Sequence, residues 1–144
     1  MKRNIITGIL MLLVILPGDA QINLIGRWQS APIWERFEKI SYEINFKDSV
    51  NMDARLVVDN TDFCDGKMIT QSMSGTYQLQ DSLCLLTADF SSFRASSASL
   101  SVPEWPETNE VDTFIILQSN NSEDVIAMID HLNRDVFVFY RQKE

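Results

Sequence analysis

The stretch KISYEINFK constrains this chain more than any other, because its apolar side chains fall on every second residue. Ile40, Tyr42, Ile44 and Phe46 take one face, and Ser41, Glu43 and Asn45 take the other. Period two with polar alternates marks a β-strand that is wet on one side, and a helix would scatter the same residues around its axis. Asp48-Ser49 then turns the chain, and VNMDARLV alternates again through Val50, Met52, Ala54 and Leu56. Asp65-Gly66 is a hairpin-type dipeptide, since both residues tolerate the positive φ such turns need. GTYQLQDSLCLLT supplies two more strands, with Tyr77 and Leu79 on one face of the first and Leu83 and Leu85 on one face of the second. DTFIILQ, EDVIAMID and DVFVFYR complete the set, separated by SNNSE and HLNR. With residues 26–29 counted, about eight or nine short strands follow one another and helical periodicity is nearly absent. Short links favour an all-β, up-and-down antiparallel meander, which closes naturally into a barrel.

The first twenty residues follow a different logic. Lys2 and Arg3 precede an apolar run over residues 5–16, which Pro17-Gly18-Asp19-Ala20 breaks. That three-part pattern is a cleavable secretory signal, with cleavage expected after Ala20. The run is too short for a membrane span, which needs about 20 residues. The reading is therefore a signal peptide at 1–20 and one domain at 21–144, secreted or periplasmic, without a span once the signal is removed. Lys2, Arg3 and Asp19 leave with the signal, so the chain's 12 basic and 20 acidic side chains become 10 and 19. So acidic a surface repels nucleic acid, whose phosphates need clustered Lys and Arg.

Two segments interrupt the meander. In SAPIWERFEK, Pro32 suits a first helical turn, and Ile33, Trp34 and Phe37 cluster at helical spacing. The spacing predicts a short helical flap between the first and second strands; an irregular loop whose aromatics plug the core is the other reading. The second is the 88–111 loop, too long for a hairpin link, with a stiff Pro103, Trp105, Pro106 segment near its end. The last three strands are apolar on both faces, so either this loop or another chain is expected to cover their outer side. Cys64 and Cys84 are the two cysteines, and in an oxidising compartment an even pair is read as a disulfide, with two separately buried thiols as the alternative.

Gly26-Arg27-Trp28 on the first strand of an up-and-down barrel resembles the lipocalin and wider calycin signature, in the compact form found in secreted bacterial proteins. In that family the tryptophan plugs the closed end and an arginine after the last strand packs across it. Arg141 matches by position, so the resemblance implies a barrel closure built from Gly26, Trp28 and Arg141. The physics agrees, because an indole fills a tapering end and a guanidinium on its face gains a cation–π contact. The family's Thr-Asp-Tyr-like turn is missing: Asp112-Thr113-Phe114 stands near that place with its polar order reversed.

Catalytic signals are weak. His131 is the only histidine and sits in a turn, and no Gly-x-Ser-x-Gly elbow occurs. The chain is read as a non-enzyme with no cofactor and no metal. One function is a carrier: a small apolar ligand inside the barrel, under the flap, touching Trp34, Phe37, Tyr42, Ile44, Phe46 and Tyr77. Eight strands leave an interior that side chains can just fill, or that holds one small ligand. The alternative is a protein-interaction or inhibitor module presenting Pro103, Trp105 and Pro106, since a rigid tryptophan loses little entropy on docking. A purely structural secreted domain is the third reading.

Overall fold

A computed structural model of the protein describes residues 22–35, 38–59, 68–95 and 111–144. Nine strands run in chain order: β1 (Gly26–Ser30), β2 (Ile33–Glu35), β3 (Glu38–Phe46), β4 (Asn51–Asp59), β5 (Met68–Gln80), β6 (Leu83–Ala95), β7 (Val111–Gln118), β8 (Val125–Asp130) and β9 (Val136–Arg141). All pairings are antiparallel, and every strand from β3 to β9 lies beside its neighbours in sequence. β1 closes the ring by pairing with β9 on one side and β3 on the other. The result is a closed eight-stranded β-barrel with β2 outside the ring. Among the described residues no helix occurs, so none is long and apolar enough to cross a membrane.

The alternation in β3 becomes the wall of the barrel. Tyr42, Ile44 and Phe46 face inward and pair across to Leu56, Ala54 and Met52 of β4. Tyr77 and Leu79 of β5 also point in. On β6 it is Cys84 and Leu86 that point in, opposite Leu79 and Tyr77, while Leu83 and Leu85 face out. Phe114, Ile116, Ile126, Met128, Phe137 and Phe139 line the remaining strands.

The helical flap is not formed. Ile33, Trp34 and Glu35 are the strand β2, paired with Ile40, Lys39 and Glu38 of β3. Once Glu38–Phe46 is a strand, the upper part of its edge, beyond β1, offers free backbone groups. A β-branched and an aromatic residue satisfy that edge better than one isolated helical turn, which has little cooperativity to draw on. Trp34 is 62 % exposed on this outer strand, so it contributes nothing to the core. Phe37 lies outside the described residues. So do the signal at 1–20, the Asp65-Gly66 hairpin, Cys64, and Pro103, Trp105 and Pro106.

The 88–111 segment is also not one loop. Residues 88–95 extend β6, and the pairing with β5 shifts between Ser72 and Ser74. This bulge inserts residues on β6 and reverses its alternation beyond that point. Ser92 holds it: its hydroxyl accepts from the Ser74 N–H at 2.8 Å and donates to the Asp89 carbonyl at 2.6 Å. Gly75 sits beside the bulge, where an added Cβ would stand 2.4 Å from the Thr87 carbonyl oxygen and 3.1 Å from the Ala88 Cα. Both are backbone atoms, so Gly75→Ala should force the strands apart and destabilise the protein by about 1–3 kcal/mol. Thermal or urea unfolding checks this; an unchanged midpoint contradicts it.

Two aspartates fix tight turns. Asp48 accepts from the Val50 and Asn51 N–H groups at 2.8 and 2.7 Å, and Asp130 accepts from those of Leu132 and Asn133 at 2.8 and 3.1 Å. The Asn51 side-chain amide, then the backbone donors, holds the Asp48 carboxyl below its ordinary value. The Asn133 N–H leads the same effect at Asp130. Groups whose pKa is lower in the folded state contribute stability at neutral pH and lose it as pH falls through the depressed values. Hydrogen exchange at the Asn51 and Asn133 amides should therefore accelerate in acid beyond its intrinsic pH dependence.

Candidate functional site

The interior divides into two zones. The lower zone is solid: Phe46, Cys84 and Ile116 are 0 % exposed, and Trp28, Ile126 and Met128 are each 1 % exposed. Phe46 and Tyr77 meet edge to face with centroids 4.7 Å apart, and the Tyr77 hydroxyl donates to the Asp48 carbonyl at 2.5 Å. These two rings were expected at the ligand; they pack the floor instead.

The floor is stoppered from outside. Trp28 donates its indole N–H to the Leu24 carbonyl at 2.7 Å, and the Arg141 guanidinium lies over the indole with its Cζ 4.3 Å from the ring centroid. Each guanidinium nitrogen has a partner. Nε pairs with Asp124 at 3.0 Å, Nη2 donates to the Asn23 carbonyl at 2.8 Å, and Nη1 donates to the Ile25 carbonyl. A planar fork serves three acceptors and a ring at once, which an ammonium cannot do. Gly26 has φ +126°, and a Cβ there would meet the Arg141 Nη1 at 3.3 Å. Gly26, Trp28 and Arg141 thus stand together at one pole and hold the 22–25 segment across it.

Above this floor the barrel is hollow. A cavity of about 300 Å³ has an almost wholly apolar wall. Tyr42, Ile44, Met73, Phe114, Phe137 and Phe139 are among the side chains around it. Ala54, on β4 between Ile44 and Met73, lines it with only a methyl group. Tyr42 and Phe137 meet edge to face at 5.3 Å and make one corner. Tyr42, Leu86, Phe114 and Phe137 point inward yet are only half-buried, so solvent reaches this zone. Sequence reasoning named Tyr42 and Ile44 and missed Met73, Phe114 and Phe137. Their alternation was readable, but nothing in it told the upper zone from the lower.

Cys84 is a free thiol in the solid floor, and burial pushes its pKa up to about 12. A thiol held neutral and sealed from water is a poor nucleophile. Cys84 in native protein should resist thiol-specific reagents at neutral pH and react fully only after unfolding; rapid native labelling of Cys84, read by peptide mapping, contradicts this. Among the described residues no group of three or more His, Cys, Asp and Glu side chains is placed to hold a metal ion.

No family model matches the chain, and no curated protein matches it.

Proposed function

We propose that this protein is a binding protein that holds one small apolar ligand in the upper half of its barrel, in the manner of the lipocalin-like domains it resembles. The observation that carries this reading is the solvent-reached apolar cavity above a close-packed floor. Its volume, about 300 Å³, is roughly twice that of an apolar cavity known to stay dry and take up benzene. It stands at the small end of the range for ligand pockets, about 300–1,000 Å³. The occupant is accordingly a compact hydrocarbon-rich molecule on the scale of two fused rings or a short alkyl chain. So largely apolar a wall favours carriage over catalysis. Export through the 1–20 signal belongs to the same reading, since a carrier of apolar molecules works where the ligand must cross water.

Native mass spectrometry of protein purified from its own host tests this. The reading expects a co-purifying small mass, lost on mild organic extraction and regained with an added apolar probe such as naphthalene. Protein that is always ligand-free and takes up no naphthalene contradicts it.

A further inference from the structure

The outer wall over β1, β3, β4, β5 and β6 carries a second recess, on the far side of the sheet from the cavity. It has a volume of about 790 Å³, and its charge runs against that of the chain. The protein carries a net charge of −8. Arg27, Lys47, Arg55, Arg94 and Lys143 nevertheless converge on this one recess, against only Glu43 and Asp53. Lys47 and Arg55 are occupied, pairing with Asp53 at 2.8 Å and Glu43 at 3.6 Å. Arg27, Arg94 and Lys143 form no salt bridge among the described residues, and all three are exposed. Arg94 donates from Nη1 to the Phe93 carbonyl at 2.7 Å, a neutral partner that leaves its charge in place. Three cations without an ionic partner in a concave site make a local positive potential within an otherwise negative surface.

Register explains how distant residues come together. Gln29, Glu43, Arg55, Ser72 and Arg94 lie in one cross-strand row. Arg27, Asn45, Asp53 and Ser74 form the row beside it. Strands are about 4.8 Å apart, so Arg55 and Arg94 rise from backbones roughly 10 Å apart with Ser72 between them. The outward positions are therefore cations interleaved with amides and hydroxyls. No aromatic or aliphatic side chain projects outward from either row, so the surface lacks the apolar anchors on which protein partners depend. Its strands are paired on both sides, which leaves no backbone edge for a peptide to extend. A long polyanion such as nucleic acid would meet the acidic remainder of the surface.

We infer that this outer recess binds a short acidic saccharide, with Arg27, Arg94 and Lys143 taking its carboxylates and Gln29, Asn45 and Ser72 exchanging hydrogen bonds with its hydroxyls, while the Ser74 hydroxyl stays on Asp53 at 2.8 Å. The recess and the cavity are backed by the same β3–β4–β5 wall and share lining residues there, but anion binding outside needs no apolar occupant inside, so neither proposal depends on the other.

The test is titration of the full-length mature protein with trigalacturonate at low ionic strength, followed by calorimetry and by backbone amide shifts. Maltotriose is the neutral control and hexaglutamate the acidic peptide control. The inference expects binding of trigalacturonate alone, with shifts at Asn45, Ser72 and Ser74 and none at Phe114 or Phe137. The combined Arg27→Gln, Arg94→Gln and Lys143→Gln variant should bind at least tenfold more weakly with an unchanged melting temperature. An independent Gln29→Ala, Asn45→Ala variant, which keeps every cation, should also weaken trigalacturonate. No binding, equal binding of maltotriose or hexaglutamate, or full affinity in the triple variant overturns the inference.

Discussion

Trp28→Ala should cost about 3–5 kcal/mol of stability, the usual penalty for emptying a buried aromatic site. For a domain of this size that corresponds to a melting temperature lower by roughly 10–20 °C. The indole is 1 % exposed, and three things depend on it. It fills the pole of the barrel, its N–H satisfies the Leu24 carbonyl, and its face carries the Arg141 guanidinium. Arg141→Met keeps much of the side-chain bulk and removes the charge and three donor contacts. Its cost should be smaller, because the guanidinium is partly solvated, but it should couple to Trp28. In a double-mutant cycle the two substitutions should interact by about 0.5–3 kcal/mol. Strict additivity would mean that the ring and the guanidinium stabilise the pole independently. A fall of less than 1 kcal/mol in Trp28→Ala would mean that the pole is closed by something other than the indole.

Ala54→Phe is expected to weaken apolar ligand uptake sharply while leaving the fold intact. Ala54 faces the cavity with a single methyl group, between Ile44 and Met73. A phenyl ring at that position projects into the 300 Å³ and removes a substantial share of it. Naphthalene affinity should fall at least tenfold, or about 1.4 kcal/mol. Stability should hold or rise, because added carbon fills space that solvent now reaches; the overpacking penalty of a close-packed core does not apply there. The same substitution in the floor, at Met52, should destabilise, since that site is 3 % exposed and belongs to the buried core cluster, where added bulk overpacks. Opposite signs at two residues two apart on β4 would map the boundary between the hollow and the solid zone.

Much of the architecture was legible in the sequence because its signal is local. The alternation over Tyr42, Ile44 and Phe46 needs only nearest neighbours to be read, and so does the turn at Asp48-Ser49. Gly26, Trp28 and Arg141 lie at opposite ends of the chain and were brought together by the family resemblance. What failed was context. Three residues, Ile33-Trp34-Glu35, are too few to show a period, and the edge of β3 that claims them is invisible until β3 itself has formed. The 88–95 stretch read as loop because the bulge held by Ser92 breaks the alternation on which strand reading relies.

The two candidate sites escaped for different reasons. Whether a barrel is full or hollow depends on where along the axis each inward side chain stands. Phe46 and Tyr77 share a face with Tyr42, yet they meet low in the barrel and fill it, while Tyr42 and Phe137 stand higher around open space. In the outer recess, Arg27, Arg55 and Arg94 are separated by dozens of residues and come to line one surface only through the β1–β3–β4–β5–β6 register. No window along the chain contains that arrangement.

The central claim is that the barrel is solid below and hollow above, and xenon binding to crystals under pressure tests it most directly. The account predicts xenon density in one place, bounded by Ile44, Ala54, Met73, Phe114 and Phe137, and none among Phe46, Tyr77, Cys84 and Ile116. Density absent from the upper zone, or found within the floor, contradicts it.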